Sequence, residues 1–184
     1  YEFPENSIKH VHCVAYDKFS DSLWTFTGDK DGECKILVSD DTFSKFRVIG
    51  DGTQTFRACN VFFEKDKAVW LMDSPNDRSY CIHYTRETGV VQKTFQFLGP
   101  VWYSTRTIDG IYLCASSVEP GYSRDTNEAV LYASYDLLEW KEIVRFRKDI
   151  WPIEIFKNGV IAFPIGDMDS RSVKLFGEGL IGLD

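Results

Sequence analysis

SLWTFTGD, residues 22–29, is a short apolar strand that ends in a glycine–aspartate turn, and its pattern returns three times along the chain. The position of Trp24 is filled later by Trp70 in AVWLMDSP, by Leu113 in IYLCASSVE and by Ala162 in GVIAFPIGD. The spacing is roughly 45 residues, and strand-and-turn repeats of that length are typical of β-propellers. We therefore predict an all-β propeller in which each repeat forms one four-stranded antiparallel blade.

Four copies of the repeat divide the chain, which we predict to be a single domain. They cover residues 8–50, 54–98, 100–147 and 149–184. Each copy consists of short apolar stretches bounded by turn residues, and no segment has a sustained helical period. The stretch YEFP, residues 1–4, is similar to the last strand of a preceding blade. We therefore expect the four copies to belong to a larger propeller, completed by further blades or by another chain.

Composition narrows the classes of partner. The chain has 184 residues, 43% of them hydrophobic and 15% aromatic, and a net charge of −7. The apolar and aromatic content suits packed sheets. No basic stripe is present, so we predict no nucleic-acid partner. No apolar run approaches the roughly 18 residues that a membrane-spanning helix needs, so we predict no membrane span.

The five cysteines, at positions 13, 34, 59, 81 and 114, all lie in apolar strand patterns. An odd number without a CxxC pair argues against a disulfide framework and against a zinc clip. We interpret them as small buried thiols. Unpaired thiols favour a reducing compartment such as the cytoplasm, although they are also compatible with export.

Two turns share the pattern Ser-x-Asp followed by an aromatic residue. They are SDDTFSKF at 39–46 and the shorter SYDLLEW at 134–140. In such turns the serine and aspartate hydrogen-bond to the backbone, and the aromatic ring packs beneath. Ser39, Asp41 and Phe46 match the Asp-box S-x-D-x-G-x-x-W, so the chain resembles the sialidase-like (BNR repeat) propellers. Phe43 replaces the glycine of that motif.

Within that family the chain resembles a group found in bacterial polysaccharide-related contexts. The matching stretches are SIKHVHCVAYD, LWTFTGD, QTFR, WYST and KDIWP. The resemblance implies a ring of about six blades, in which the Asp-boxes are structural and peripheral. An active sialidase of the family has three arginines around the substrate carboxylate, a tyrosine–glutamate pair and an aspartate acid. Here only Arg57 and Arg106 occupy suitable positions, so the catalytic set is incomplete.

In a propeller, the start of each first strand and the end of each second strand lie on the same rim of the central channel, where ligands commonly bind. Candidate ligand-binding residues on this rim are His10, His12, Gln54, Arg57, Ser104, Arg106 and Trp151. Candidate catalytic residues are Asp29, Asp73, Tyr103 and Glu119. We predict that a carbohydrate or another small polar ligand binds there. The alternatives are a glycoside hydrolase with paired rim carboxylates and a non-catalytic scaffold for protein partners.

The histidine pair and Arg57 are candidates with competing interpretations. His10 and His12 share one face of a strand, and with Asp29 their spacing suits a metal ion. Hydrogen-bonded packing is the alternative, and we predict neither a metal nor another cofactor. Arg57 can bind a ligand carboxylate in a bidentate manner, or it can form a structural ion pair with Asp29 or Asp73.

Overall fold

The chain forms antiparallel β-sheets in a computed structural model. The structure describes residues 1–121 and 127–147, together with strand segments at 154–155, 160–165 and 169–174, and it describes side chains as far as residue 145. Within these ranges the only helical element assigned is one 3₁₀ turn, Gln54–Phe56. No helix in the described ranges has the length and apolarity needed to cross a membrane.

Three four-stranded sheets and one three-stranded sheet account for the described strands, and each strand pairs only with its neighbours in sequence. The first sheet contains β1 (Val11–Asp17), β2 (Ser22–Thr27), β3 (Cys34–Ser39) and β4 (Arg47–Gly52). The second contains β5 (Val61–Phe63), β6 (Lys67–Leu71), β7 (Tyr80–Thr85) and β8 (Val91–Gln96). The third contains β9 (Val101–Arg106), β10 (Tyr112–Ser116), β11 (Glu128–Ser134) and β12 (Lys141–Arg147). The fourth contains β13 (Glu154–Ile155), β14 (Val160–Ile165) and β15 (Asp169–Lys174). The prediction of an all-β chain built from four-stranded antiparallel sheets is therefore confirmed for these three repeats.

Two predicted strands differ from the structure. The stretch FRACNVFF, residues 56–63, forms a strand only at Val61–Phe63. Its first residue closes the 3₁₀ turn, which is fixed by a hydrogen bond from Trp70 Nε1 to Thr55 O at 2.7 Å. Residues 1–4 form no strand, and Tyr1 instead packs edge-on against the ring of Phe46 at 4.7 Å.

The chain divides into two compact units, residues 1–74 with 80–96 and residues 75–79 with 97–184. In the first unit the residues that enter the shared core alternate along β2 and β6, as the two-residue period of a strand requires. Trp24 and Phe26 on β2 and Ala68 and Trp70 on β6 are all completely buried. They belong to one core that the first and second sheets share.

The second unit has its own core, built by the same alternation. Leu113 and Ala115 on β10 face Leu131 and Ala133 on β11, and all four are almost completely buried. Small alanines alternate with leucines on both strands of this core.

Both Asp-boxes are closing turns of their sheets. In the β3–β4 turn, Ser39 Oγ accepts a hydrogen bond from Phe43 N at 2.8 Å and Asp41 Oδ1 accepts one from Lys45 N at 3.0 Å. In the β11–β12 turn, Asp136 Oδ1 accepts from Glu139 N at 2.9 Å. Phe43, which replaces the glycine of the motif, has a φ of 69°, a left-handed conformation that favours glycine. The boxes are therefore built by local hydrogen bonds.

The first Asp-box should contribute to stability in a pH-dependent way. The Ser44 hydroxyl and the Lys45 N–H lower the pKa of Asp41 to about 2. A lowered pKa in the fold means that the contribution is complete above the ordinary aspartate pKa and is lost as the pH falls towards about 2. We expect Asp41→Ala to melt several degrees below the parent protein at neutral pH, and this difference to narrow in acid. Thermal melts across this pH range measure it, with the exposed neighbour changed in Asp40→Ala as the control. A difference that does not change with pH would contradict the assignment.

Candidate functional site

Charged and polar side chains of the first unit converge at one place, which we call the polar cluster. It combines a residue before β1, one on β1, one after β2, two from the segment between β4 and β5, and one after β6. Its members are His10, His12, Asp29, Arg57, Cys59 and Asp73. The cluster therefore draws on both sheets that share the aromatic core.

Local backbone features aim two of these side chains. The β1–β2 register shifts between Val11 and Cys13, so His12 is the extra residue of a β-bulge, a device that redirects a side chain. Gly28, directly before Asp29, has a φ of 99°, and a Cβ atom there would overlap the backbone of Glu33. Only glycine fits this position, which turns the chain so that Asp29 meets the histidines.

Asp29 is the centre of the outer part of the cluster. Its Oδ2 lies 2.8 Å from His10 Nδ1 and 3.4 Å from Lys9 Nζ, and its Oδ1 lies 3.1 Å from His12 Nε2. The His10 and Lys9 side chains are 55% and 63% exposed, whereas that of Asp29 is 14% exposed. The solvent-exposed face of the cluster is therefore formed by Lys9 and His10, and the Asp29 carboxylate lies behind them.

Arg57 is the inner counterion of two aspartates. Its Nη2 lies 3.5 Å from Asp29 Oδ1, its Nε lies 3.3 Å from Asp73 Oδ2, and its Nη1 donates to Asp29 O at 3.1 Å. The Arg57 side chain is 10% exposed and that of Asp73 only 2% exposed. Of the two interpretations of Arg57 that the sequence allowed, a ligand contact or a structural ion pair, the structure contains the ion pairs, with both Asp29 and Asp73. Among the described residues, Asp73 Oδ1 has no hydrogen-bond partner.

The two carboxylates have pKa values that shift in opposite directions. Burial opposes ionisation of Asp29, but Arg57, His10 and His12 outweigh it and hold its pKa below the ordinary value. Burial dominates at Asp73 and raises its pKa, although Arg57 opposes the shift. Asp29 is thus an ionised group close to solvent, and Asp73 is a buried acid beneath it.

Gln54 and Cys59 complete the surroundings of the cluster. Gln54 Nε2 donates to Asp29 O at 3.2 Å, and Gln54 Oε1 accepts from Ser74 Oγ at 2.8 Å, so this predicted ligand-binding residue supports the loop that carries Asp29. Cys59 Sγ donates to Asp73 Oδ2 at 3.3 Å, and burial raises the pKa of this thiol. The sequence prediction missed Cys59. The available signal was its position two residues after Arg57 in the stretch predicted as a strand, where alternate residues share a face.

Four of the predicted site residues lie in the second unit. The Arg106 guanidinium lies over the Tyr112 ring at 4.9 Å, and Glu119 accepts hydrogen bonds from Trp102 Nε1 and, at 2.8 Å, from Ser117 Oγ. Tyr103 and Ser104 lie on β9, and Tyr103 is 38% exposed. Trp151, the remaining candidate, lies outside the described residues.

A surface cavity of about 360 Å³ lies beside the first Asp-box, away from the polar cluster. Its lining includes Ser20, Asp40, Lys45 and Arg47, and no member of the polar cluster. The four lining residues named above are exposed to solvent. The polar cluster, in contrast, contains partly or fully buried charged groups with shifted pKa values. Buried groups with shifted pKa values are the better indicator of a functional site.

Comparison with known proteins does not assign a family or a function to the chain. No protein-family model matches the chain, and no curated protein has significant similarity to it.

Proposed function

We propose that the sheets are blades of a sialidase-like β-propeller and that the polar cluster binds a carbohydrate at the mouth of its channel. One observation carries the proposal: the partly exposed side chains of Lys9 and His10 contact the ionised carboxylate of Asp29 at the surface. The buried ion pair of Arg57 and Asp73 lies behind this carboxylate. Sugar hydroxyls both donate and accept hydrogen bonds, so a carboxylate beside nitrogen donors complements them.

The charges of the cluster favour a neutral sugar over an acidic one. Arg57 is the cluster's only guanidinium, and its charge is balanced by Asp29 and Asp73 at 3.5 and 3.3 Å. An arginine that is already paired and buried has little charge to offer a ligand carboxylate. We therefore expect a neutral ligand and, at this cluster, no recognition of sialic acid by an arginine triad.

Calorimetric titration with neutral and acidic saccharides tests this function. Removing the charged acceptor in Asp29→Asn should weaken binding of a neutral sugar by roughly tenfold to a hundredfold, because hydrogen bonds to charged groups contribute about 1.5–3 kcal/mol. The matched control is Asp21→Asn, which changes an exposed carboxylate that accepts from the Tyr16 hydroxyl. Equal affinity in the parent protein and in Asp29→Asn, or preference for acidic sugars, would count against the proposal.

Glycoside hydrolysis is the second candidate function. The pKa values of Asp29 and Asp73 shift apart, as those of an acid–base pair do, and both carboxylates contact the His12 ring, at 3.1 and 3.9 Å. Paired-acid glycosidases hold their carboxyl groups roughly 5–9.5 Å apart. Asp73 is only 2% exposed, however, which supports binding as the first choice. Hydrolysis of glycosides that disappears in Asp73→Asn while sugar binding persists would reverse this order.

A further inference from the structure

We propose that His12, Cys59 and Asp73 form a binding site for a divalent transition metal, with zinc as the best fit. The ligand atoms are His12 Nδ1, Cys59 Sγ and Asp73 Oδ2. The site lies in the inner part of the polar cluster and goes beyond the proposed carbohydrate binding, since it uses the Cys59 thiol, which has no role in that proposal.

The spacing of the three atoms matches tetrahedral zinc. His12 Nδ1 lies 3.6 Å from Cys59 Sγ and 3.9 Å from Asp73 Oδ2, and Cys59 Sγ lies 3.3 Å from Asp73 Oδ2. Zinc bonds of about 2.0–2.3 Å place the ligand atoms of a tetrahedron roughly 3.3–3.8 Å apart. The two distances that involve sulfur lie in this range, and His12 Nδ1 and Asp73 Oδ2 must approach each other by about half an ångström to share one ion.

The hydrogen bonds of His12 prepare Nδ1 as a ligand. Its Nε2 contacts the carbonyl oxygen of Gly28 and, at 3.1 Å, the Oδ1 of Asp29. Both are acceptors, so Nε2 carries the proton and Nδ1 is the nitrogen whose lone pair can bind an ion beside Cys59 and Asp73. A carboxylate behind the other ring nitrogen is the usual support of a histidine that binds zinc.

Asp73 also has features of a metal ligand. Asp73 is 2% exposed, and its Oδ1 has no hydrogen-bond partner among the described residues. Arg57 Nε lies 3.3 Å from its Oδ2, so the carboxylate is held by a neighbouring cation as metal-ligating carboxylates are held by hydrogen bonds. On metal binding, the thiol proton that Cys59 now donates to Asp73 leaves to solvent, and the thiolate binds the ion.

A second trio, His10, His12 and Asp29, also has ligand atoms close together. This outer trio would use His12 Nε2, which already donates to the Gly28 carbonyl, and it contains no sulfur. The inner trio combines nitrogen, sulfur and oxygen ligands, a set that suits zinc. In the sequence only the outer trio suggested a metal site, and hydrogen-bonded packing of its histidines was the preferred interpretation.

Cobalt substitution tests the site. We expect the reduced, metal-free protein to bind about one Zn²⁺ per chain and, with Co²⁺, to show the near-ultraviolet charge-transfer band of a thiolate–cobalt bond. Cys59→Ala should abolish the band, whereas Cys13→Ala should keep it, since Cys13 is a free cysteine of similar exposure outside the trio. Circular dichroism establishes that each variant is folded.

The outcomes separate the possibilities. A band that is lost in Cys59→Ala and kept in Cys13→Ala establishes the inner trio. Zn²⁺ binding without the band would place the ion on the outer trio and overturn the proposal, as would no binding by the parent protein. If Cys59→Ala does not fold, Asp73→Asn gives the second test: its affinity for Zn²⁺ should fall at least tenfold, and unchanged affinity would also overturn the proposal.

Discussion

Arg57→Ala is expected to lower the free energy of unfolding by about 3–5 kcal/mol, because removing one partner of a buried ion pair leaves the others without compensation. Arg57 lies 3.3 Å from Asp73 and 3.5 Å from Asp29, and all three side chains are less than one-sixth exposed. The substitution therefore removes the cation shared by the buried carboxylate of Asp73 and the partly exposed carboxylate of Asp29. Urea unfolding of the metal-free protein measures the loss.

A surface arginine provides the matched control for Arg57. Arg145 lies 2.7 Å from Glu142 and 3.0 Å from Glu128, but its side chain is 42% exposed. Exposed ion pairs contribute about 0–1 kcal/mol, so Arg145→Ala should change stability little. Arg57→Lys should fall between the parent protein and Arg57→Ala, since lysine keeps the charge but not the planar fork. Equal losses in Arg57→Ala and Arg145→Ala would show that the inner ion pairs do not stabilise the fold.

Trp70→Ala should also reduce stability by about 3–5 kcal/mol, the range for removing a large buried aromatic side chain. Trp70 is completely buried and lies 6.0 Å from the ring of Phe26, on the first sheet, and 5.9 Å from that of Phe56. Its Nε1 also donates to Thr55 O at 2.7 Å. The substitution thus opens a cavity in the shared core and leaves a carbonyl without its donor.

Two further variants test whether the loss of stability comes from the buried Trp70 ring. Trp70→Phe keeps one aromatic ring and loses the hydrogen bond to Thr55 and part of the packing, so it should be less destabilising than Trp70→Ala. Tyr135→Ala removes an aromatic side chain that is 62% exposed and should change stability by less than about 0.5 kcal/mol. If Trp70→Ala unfolds at the same urea concentration as Tyr135→Ala, the shared core is not the main source of stability.

Strand alternation made much of the fold predictable, and the exceptions have a local cause. Trp24 with Phe26 and Ala68 with Trp70 show the two-residue period on strands that the structure confirms. The first half of FRACNVFF was predicted wrongly as strand, because Phe56 is as buried as a strand residue. Its burial comes from packing against Trp70 at the end of a 3₁₀ turn. A run of apolar residues indicates burial, but it does not distinguish a hydrogen-bonded β-strand from a turn that packs on the core.

The cluster was predictable where the repeat placed residues in equivalent positions. Asp29 and Asp73 end the second-strand stretch of consecutive repeats, and the structure brings both to Arg57. Cys59 was missed because a cysteine in an apolar stretch looks like any small buried residue. Its contact with His12 involves the bulge residue of β1, and nothing in the sequence of β1 marks that bulge.

The pairing of each strand only with its sequence neighbours has a consequence for how the chain folds and changes. Paired strands are adjacent in sequence, so their hydrogen bonds form between segments that are already near each other along the chain, which keeps the entropy of loop closure small and the formation of each sheet fast. A duplication or deletion of one whole repeat would leave the strand pairs of every other sheet intact. Such a chain can change its number of sheets in evolution without having to invent a new topology.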